Sequence, residues 1–283
     1  MCLLALLWGA SFPLIKVAVE TVPPIWVATL RASLGGLVLL ALLGPRLRTC
    51  WQAARDGDWF VSQGMLNVVV PWILVAWASR IIDAKLTTIL NSLSPIFIFL
   101  ITWAVTRHEP ATPRKFVGVA LGLAGVVTIV GADALGGLGS HLLAEVACVV
   151  GSLSYGLAAV VGRRYDRLPS LVPAAGSVLA GAAILVPIAL AMEPWPANAS
   201  FRSMAAVAAL ALFSTGRAFV VYFRLLVSIG SIATASQAYL RIVIGVGLSV
   251  ALLGETLGPS HWLGLGLVVA GVVAMTLRRK GDP

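Results

Sequence analysis

A stretch of 41 residues occurs twice in this chain without a gap. Thr87 to Val127 reads TTILNSLSPIFIFLITWAVTRHEPATPRKFVGVALGLAGVV, and Ala233 to Val273 reads ATASQAYLRIVIGVGLSVALLGETLGPSHWLGLGLVVAGVV. Glu255, Gly264 and Gly271 each fall 146 residues after Glu109, Gly118 and Gly125. Each copy is an apolar run, a short polar break holding a glutamate, and a second apolar run ending Ala-Gly-Val-Val. Shared apolar composition alone does not put a glutamate and two glycines at one offset. The repeat is therefore read as an internal duplication, and a repeat of this length sets the architecture.

The solvent for such a chain is lipid. Hydrophobic residues make up 59% of it and charged residues 11%, with a mean hydropathy of +0.98; an ordinary soluble domain carries about 25% charged residues. A water-soluble surface built from this composition would be covered in apolar patches. The formal charge of +9 comes from bases spaced between apolar runs, the pattern that orients membrane proteins, so no nucleic-acid partner is expected. Cys2, Cys50 and Cys148 show neither disulfide nor zinc spacing, and His108, His141 and His261 are scattered near loops. No metal, no cofactor and no catalytic constellation is expected, which argues against an enzyme. The apolar run from Cys2 lacks a basic region before it and a small-residue cleavage site before Lys16. It is read as a membrane span beginning at the first residues, not as a signal peptide.

Ten apolar segments, each near the ~20 residues that cross a bilayer core, run roughly 2–19, 25–43, 59–79, 84–105, 114–131, 141–162, 171–191, 203–226, 232–252 and 260–277. Pro23-Pro24, Gly44-Pro45, Pro110 to Pro113, Gly136-Gly137, Pro194 to Pro196 and Gly258-Pro259 punctuate them. The duplication extends outward: Trp8-Gly9 corresponds to Tyr155-Gly156 at offset 147, and Ala76-Trp77 to Tyr222-Phe223 at offset 146. The unit is five helices used twice, over residues 1–135 and 136–283. Five is odd, so the second unit enters the membrane from the opposite side. The expected fold is an all-α integral membrane protein, ten transmembrane helices forming two inverted five-helix repeats around a central cavity.

Lysine and arginine set the orientation. With the N-terminus inside, the inner loops and tail hold Arg46, Arg48, Arg55, Arg107, Arg114, Lys115, Arg163, Arg164, Arg167, Arg224, Arg278, Arg279 and Lys280. The outer loops hold Arg80, Lys85 and Arg202. This bias predicts a multi-pass protein with both termini cytoplasmic.

These residues carry a resemblance. Leu7-Trp8-Gly9, Thr29-Leu30-Arg31, Leu93-Ser94-Pro95-Ile96, Gly254-Glu255 and the Ala-Gly-Val-Val that closes each half resemble the EamA-type branch of the drug/metabolite transporter superfamily over essentially the whole chain. The resemblance implies an exporter of small metabolites in the bacterial inner membrane. Helices 1–4 and 6–9 would surround the cavity, with 5 and 10 packed outside. The most similar members move amino acids, some preferring large aromatic or hydrophobic ones. One departure stands out: the family usually repeats the proline of Pro95 where this chain has Arg241.

A cation at the bilayer centre costs at least ~2.5–3.5 kcal/mol on insertion scales and usually faces a cavity or a partner. Arg241 and Arg217 interrupt apolar helices, and a guanidinium offers a substrate carboxylate two parallel hydrogen bonds. A structural pair with a carbonyl is the competing reading. Arg31 lies nearer its helix start and is expected to be structural, and Lys16 to snorkel. Asn91 and Gln237 are repeat partners at offset 146. With Ser94 and Pro95, and with Arg241, they form matching polar helix faces, and Ser11 follows Trp8 by one turn. Trp8, Trp72, Tyr155 and Tyr239 are candidate cavity aromatics, together with Trp77 and Tyr222; Trp26, Trp51, Trp59, Trp195 and Trp262 suit an interfacial belt. Gly118, Gly122, Gly125, Gly264, Gly266 and Gly271 suit close helix packing, dimer contacts included. No acid lies at mid-span, and Trp8 to Phe12 lacks the glutamate of the related small multidrug exporters, so no carboxylate proton relay is expected.

The expected substrate-binding residues are thus Trp8, Ser11, Trp72, Asn91, Ser94, Pro95, Tyr155, Arg217, Gln237, Tyr239 and Arg241. The expected function is export of amino acids with uncharged aromatic or hydrophobic side chains by alternating access. Other metabolites, drugs or a channel-like facilitator are the alternatives. The expected partners are the lipid bilayer and a small-molecule substrate, the protein being a monomer or a weak homodimer.

Overall fold

The structure is a computed structural model that describes residues 1–44, 48, 52, 58–78, 81–82, 84–107, 110, 112–131, 135–136, 138–244 and 258–276. Among the described residues, ten principal helical segments follow one another. α1 is Cys2–Gly9 continued by Ser11–Ala18. Next come α2 (Pro24–Leu43), α3 (Trp59–Ala78), α4 (Leu86–Thr106), α5 (Pro113–Val130), α6 (Leu142–Tyr165), α7 (Leu171–Met192) and α8 (Phe201–Ile229). α9 begins as Ser231–Ala235 and continues over 237–244, and α10 is Pro259–Thr276. Among the described residues there is no strand. Eight of the ten, all but α1 and α9, are long and apolar enough by themselves to cross a membrane. Helices suit lipid because each satisfies its own backbone. Their starts are also encoded locally. Pro24 and Pro113 sit in first turns where the lost N–H has no partner anyway. The Thr112 and Ser200 hydroxyls accept from the Lys115 and Ser203 amides.

Three spans expected to be continuous are broken. α1 breaks at Ala10, where Pro13 has no N–H to give the Gly9 carbonyl. α4 breaks at Ser92-Leu93, where Pro95 leaves the Asn91 carbonyl in the same position. α9 breaks at Ser236, the corresponding region of the second repeat, although no proline is there. The Ser236 hydroxyl instead donates to the Ala233 carbonyl at 2.7 Å, competing with the helical ladder. The second repeat thus keeps the interruption by a different chemistry.

Two wide turns of π-helix mark corresponding places in α3 and α8. Met65–Val69 maps at offset 146 onto positions 211–215, inside the second π segment, Leu210–Arg217. A π turn opens the i→i−4 ladder and re-aims the side chains beyond it.

The symmetry is visible where α5 meets α10. A Cβ on Gly118 would lie 2.8 Å from the Gly271 carbonyl, and one on Gly125 2.7 Å from the Gly264 carbonyl. Gly118 and Gly264 are repeat partners, as are Gly125 and Gly271. The crossed contacts therefore show two antiparallel helices exchanging equivalent surfaces, as an inverted repeat requires. α5 and α10 also have the least buried span windows of the eight, 28% and 22%, which places this pair outside the bundle. The remaining helices pack around a core that includes Leu39, Leu185, Phe219, Phe223 and Ile232, all essentially inaccessible.

Expectations resting on Arg46, Cys50, Trp51, Arg55, Arg80, His108, Glu109, Gly254, Glu255, Arg278, Arg279 and Lys280, on the end of the ninth span, and on the Lys16 and Lys85 side chains lie outside what is described.

Candidate functional site

A cavity of about 290 Å³ lies among α1–α4, α6, α8 and α9. Its mouth reaches Val19 and Pro24, where α1 turns into α2. At the other end of the bundle, rings pack on one another. Phe60 stacks on Tyr165 with centroids 5.3 Å apart and planes within 4°, and Tyr165 meets Phe223 edge-on at 5.8 Å. The cavity lining thus extends toward the α1–α2 turn, and the ring stack lies outside that lining.

Two arginines enter its wall. Arg31, from α2, donates from Nε to the Thr215 hydroxyl at 3.2 Å, and its guanidinium carbon lies 4.0 Å over the Trp72 ring. Thr215 belongs to the π segment of α8. That segment comes close to α2 at Gly35, where a Cβ would stand 2.9 Å from the Ala211 carbonyl. Only glycine one turn beyond Arg31 allows this approach, and the approach fixes the guanidinium. Arg241, from α9, lays its stem against Gly9 beside the break in α1, 3.4 Å from where a Cβ would be. Tyr155 of α6 interacts electrostatically with both guanidinium groups and faces the Trp72 indole.

Amides and aromatics complete the wall. Asn67, Asn91 and Gln237 line the cavity, and each has a buried amide atom without a hydrogen-bond partner among the described residues. Such an atom costs about 1–3 kcal/mol unless water or a ligand meets it. The Trp8 indole donates to the Ser214 carbonyl at 3.0 Å, and its ring sits 5.5 Å from Tyr222. Ser214 donates in turn to the Leu7 carbonyl at 2.8 Å, which clamps α1 to α8. The Ser11 hydroxyl donates to the Trp8 carbonyl at 2.6 Å. Ser152 and Ser154 of α6 donate to the Leu90 and Leu66 carbonyls, setting α6 against α4 and against the π segment of α3. No aspartate or glutamate lines the cavity among the described residues. Glu20, next to the mouth, is exposed and lies 4.0 Å from Arg202.

Of the expected site residues, Trp8, Ser11, Trp72, Asn91, Ser94, Tyr155, Gln237 and Arg241 come together here. Three stand elsewhere. Arg217 is exposed on the outside of α8, because the π turn carries the inward face to Ser214 and Thr215. Tyr239 is fully buried away from the cavity: its ring lies over Gly122 and its hydroxyl donates to the Val119 carbonyl at 3.3 Å, joining α9 to α5. Pro95 is buried and acts through the break it makes. Trp72 has one ring face covered by Arg31, so that face is not free to stack on a substrate. Arg31 and Asn67 line the cavity as well. The place of Arg31 near a helix start points instead to a structural role. Asn67, a lone amide in the run Met65 to Val75, carried the same signal as Asn91.

Comparison with known proteins matches the EamA-like transporter family over residues 1–131 and again over 142–277, one match per repeat. The inner membrane transporter YedA of Escherichia coli (strain K12) is 29% identical, over 97% of this chain and 88% of that protein. The transporter YoaV of Bacillus subtilis (strain 168) is 26% identical, over 97% and 96%. The S-adenosylmethionine/S-adenosylhomocysteine transporter of Chlamydia trachomatis serovar L2 is 24% identical, over 94% and 85%. A solved crystal structure superposes with a TM-score of 0.79 at 22% identity, covering 96% of this chain and 94% of the other, and shows the same fold. With both halves matched and a bundle of membrane-length apolar helices, the chain belongs to the EamA-like transporter family and is a multi-pass membrane transporter.

Proposed function

We propose that the protein exports small carboxylate-bearing metabolites across the inner membrane, amino acids with bulky hydrophobic side chains being the class its sequence points to. The carrying observation is Arg241 in the wall of a cavity whose only other charged lining residue among those described is also a cation, Arg31. The guanidinium meets the substrate carboxylate bidentately, Trp8, Tyr155 and Tyr222 take up its apolar body, and the Asn91 and Gln237 amides complete its polar contacts. The inverted repeat around a central cavity supports alternating access. The basic bias supports cytoplasmic termini, and the lack of acids at mid-span supports movement down the substrate's own gradient. A nucleoside sulfonium of the kind named for the Chlamydia trachomatis relative suits this cavity less well. The volume is at the small end of ligand pockets, usually ~300–1,000 Å³, and the wall is cationic.

The test is efflux from vesicles of a matched set, phenylalanine against phenylalaninamide and phenethylamine. The carboxylate should be required. Arg241→Leu should remove transport while the protein keeps its thermal stability, since leucine suits an apolar wall, and Arg241→Lys should restore it only in part because an ammonium lacks the fork. Equal movement of the carboxylate-free analogues, or full transport by a stable Arg241→Leu protein, would overturn the reading.

A further inference from the structure

We infer that Arg31 is a second anion-binding residue, so that the cavity prefers organic anions, 2-oxo acids among them, to the zwitterionic amino acids of the same side chain. This rests on the reading of the cavity as the substrate site and sharpens its chemistry. Arg31 does not snorkel away from the cavity. Its Nε is tied to Thr215 and its plane to Trp72, and both contacts fix the group from behind while the residue still lines the cavity. Arg31, Arg241 and Tyr155 line the same cavity, so the two cations act on one space. No aspartate or glutamate is among the described lining residues.

A zwitterion brings no net charge into this space and must set its ammonium beside two guanidinium groups. An anion of the same shape brings a charge both can meet. The amides do not discriminate, because Asn91 and Gln237 serve an ammonium with their oxygen or an oxo group with their nitrogen after a simple flip. The charges therefore decide. Two like charges within several ångströms at an effective dielectric near 20 disfavour the ammonium by at least about tenfold.

Phenylpyruvate and phenylalanine differ at the α-carbon alone, oxo against ammonium, and share ring and carboxylate. Vesicle transport of the two should show phenylpyruvate favoured by at least about tenfold in kcat/KM. Arg31→Gln should erase that preference, lowering phenylpyruvate transport by at least about tenfold more than phenylalanine transport; Arg31→Lys, which keeps the charge, should retain most of it. Loss of all transport in Arg31→Gln from misfolding would show as a lowered Tm, and the wild-type and Arg31→Lys ratios then decide alone. Equal or better transport of phenylalanine by the wild type overturns the inference and leaves the carboxylate reading standing. Movement of neither compound, with their carboxylate-free analogues moving instead, overturns both.

Discussion

A single side chain shows how far a helical pattern carries. Arg241 was identifiable from sequence because a cation inside an apolar run is rare, and it lines the cavity. Tyr239, two residues earlier, was read from the same run and points the other way. An aromatic ring satisfies lipid, core and cavity alike, so its type gives no direction; the break at Ser236 then rotates the face that follows it. Tyr239 fills the space over Gly122 and bonds to Val119. Tyr239→Phe should therefore transport within about twofold of wild type and lose about 0.5–1.5 kcal/mol of stability. The two readouts are vesicle flux and apparent Tm. A large flux loss in a protein of unchanged Tm would restore Tyr239 to the cavity. Arg217 failed for a related reason. Its distance along α8 was right for mid-membrane, but the π segment at Leu210–Arg217 shifts the phase of the helix, and composition does not encode a π turn.

At the scale of elements, the repeat gave the helix count, their order and the antiparallel pairing of α5 with α10. The glycines that make this pairing possible were legible as packing residues. The ring-packed end was not legible, because Phe60, Tyr165 and Phe223 come from three helices far apart in sequence. At that end Gln63 is wholly buried, and neither amide atom has a hydrogen-bond partner among the described residues. It lies close to Gly162, whose Cβ position is 3.5 Å from Gln63 Nε2. An unmet amide at a packed end costs about 1–3 kcal/mol. Under the alternating-access reading, that cost favours any arrangement of this end in which the amide is met. Gln63→Met removes the polar atoms at similar volume. It should raise the apparent Tm and slow transport by holding this end packed. A variant that transports faster, or melts lower, would show that Gln63 is not a destabilising element of this end.

For the whole molecule, orientation joins the fold to the direction of transport. Val19 and Pro24, which line the cavity, lie at the end of α1 opposite the N-terminus, whereas Arg163 and Arg164 close α6 and Arg167 follows it, at the end where Phe60, Tyr165 and Phe223 pack. The basic cluster therefore sits on the ring-packed side and the mouth on the other. If positive residues mark the cytoplasm, the mouth of the cavity faces outward. A protein with Cys2 and Cys50 changed to Ser and Cys148 to Ala gives a background in which single cysteines report on each side. Val19→Cys, half-exposed at the mouth, should react in intact cells with a membrane-impermeant maleimide. Arg167→Cys, exposed between α6 and α7, should react only after permeabilisation. Substrate carboxylate added outside should slow labelling of Ile15→Cys, deeper in the same wall, more than labelling of Val19→Cys, because the site lies below the mouth. Reaction of Arg167→Cys in intact cells, with Val19→Cys silent, would reverse the orientation and make the open state inward-facing; reaction of both from outside would break the inverted topology itself.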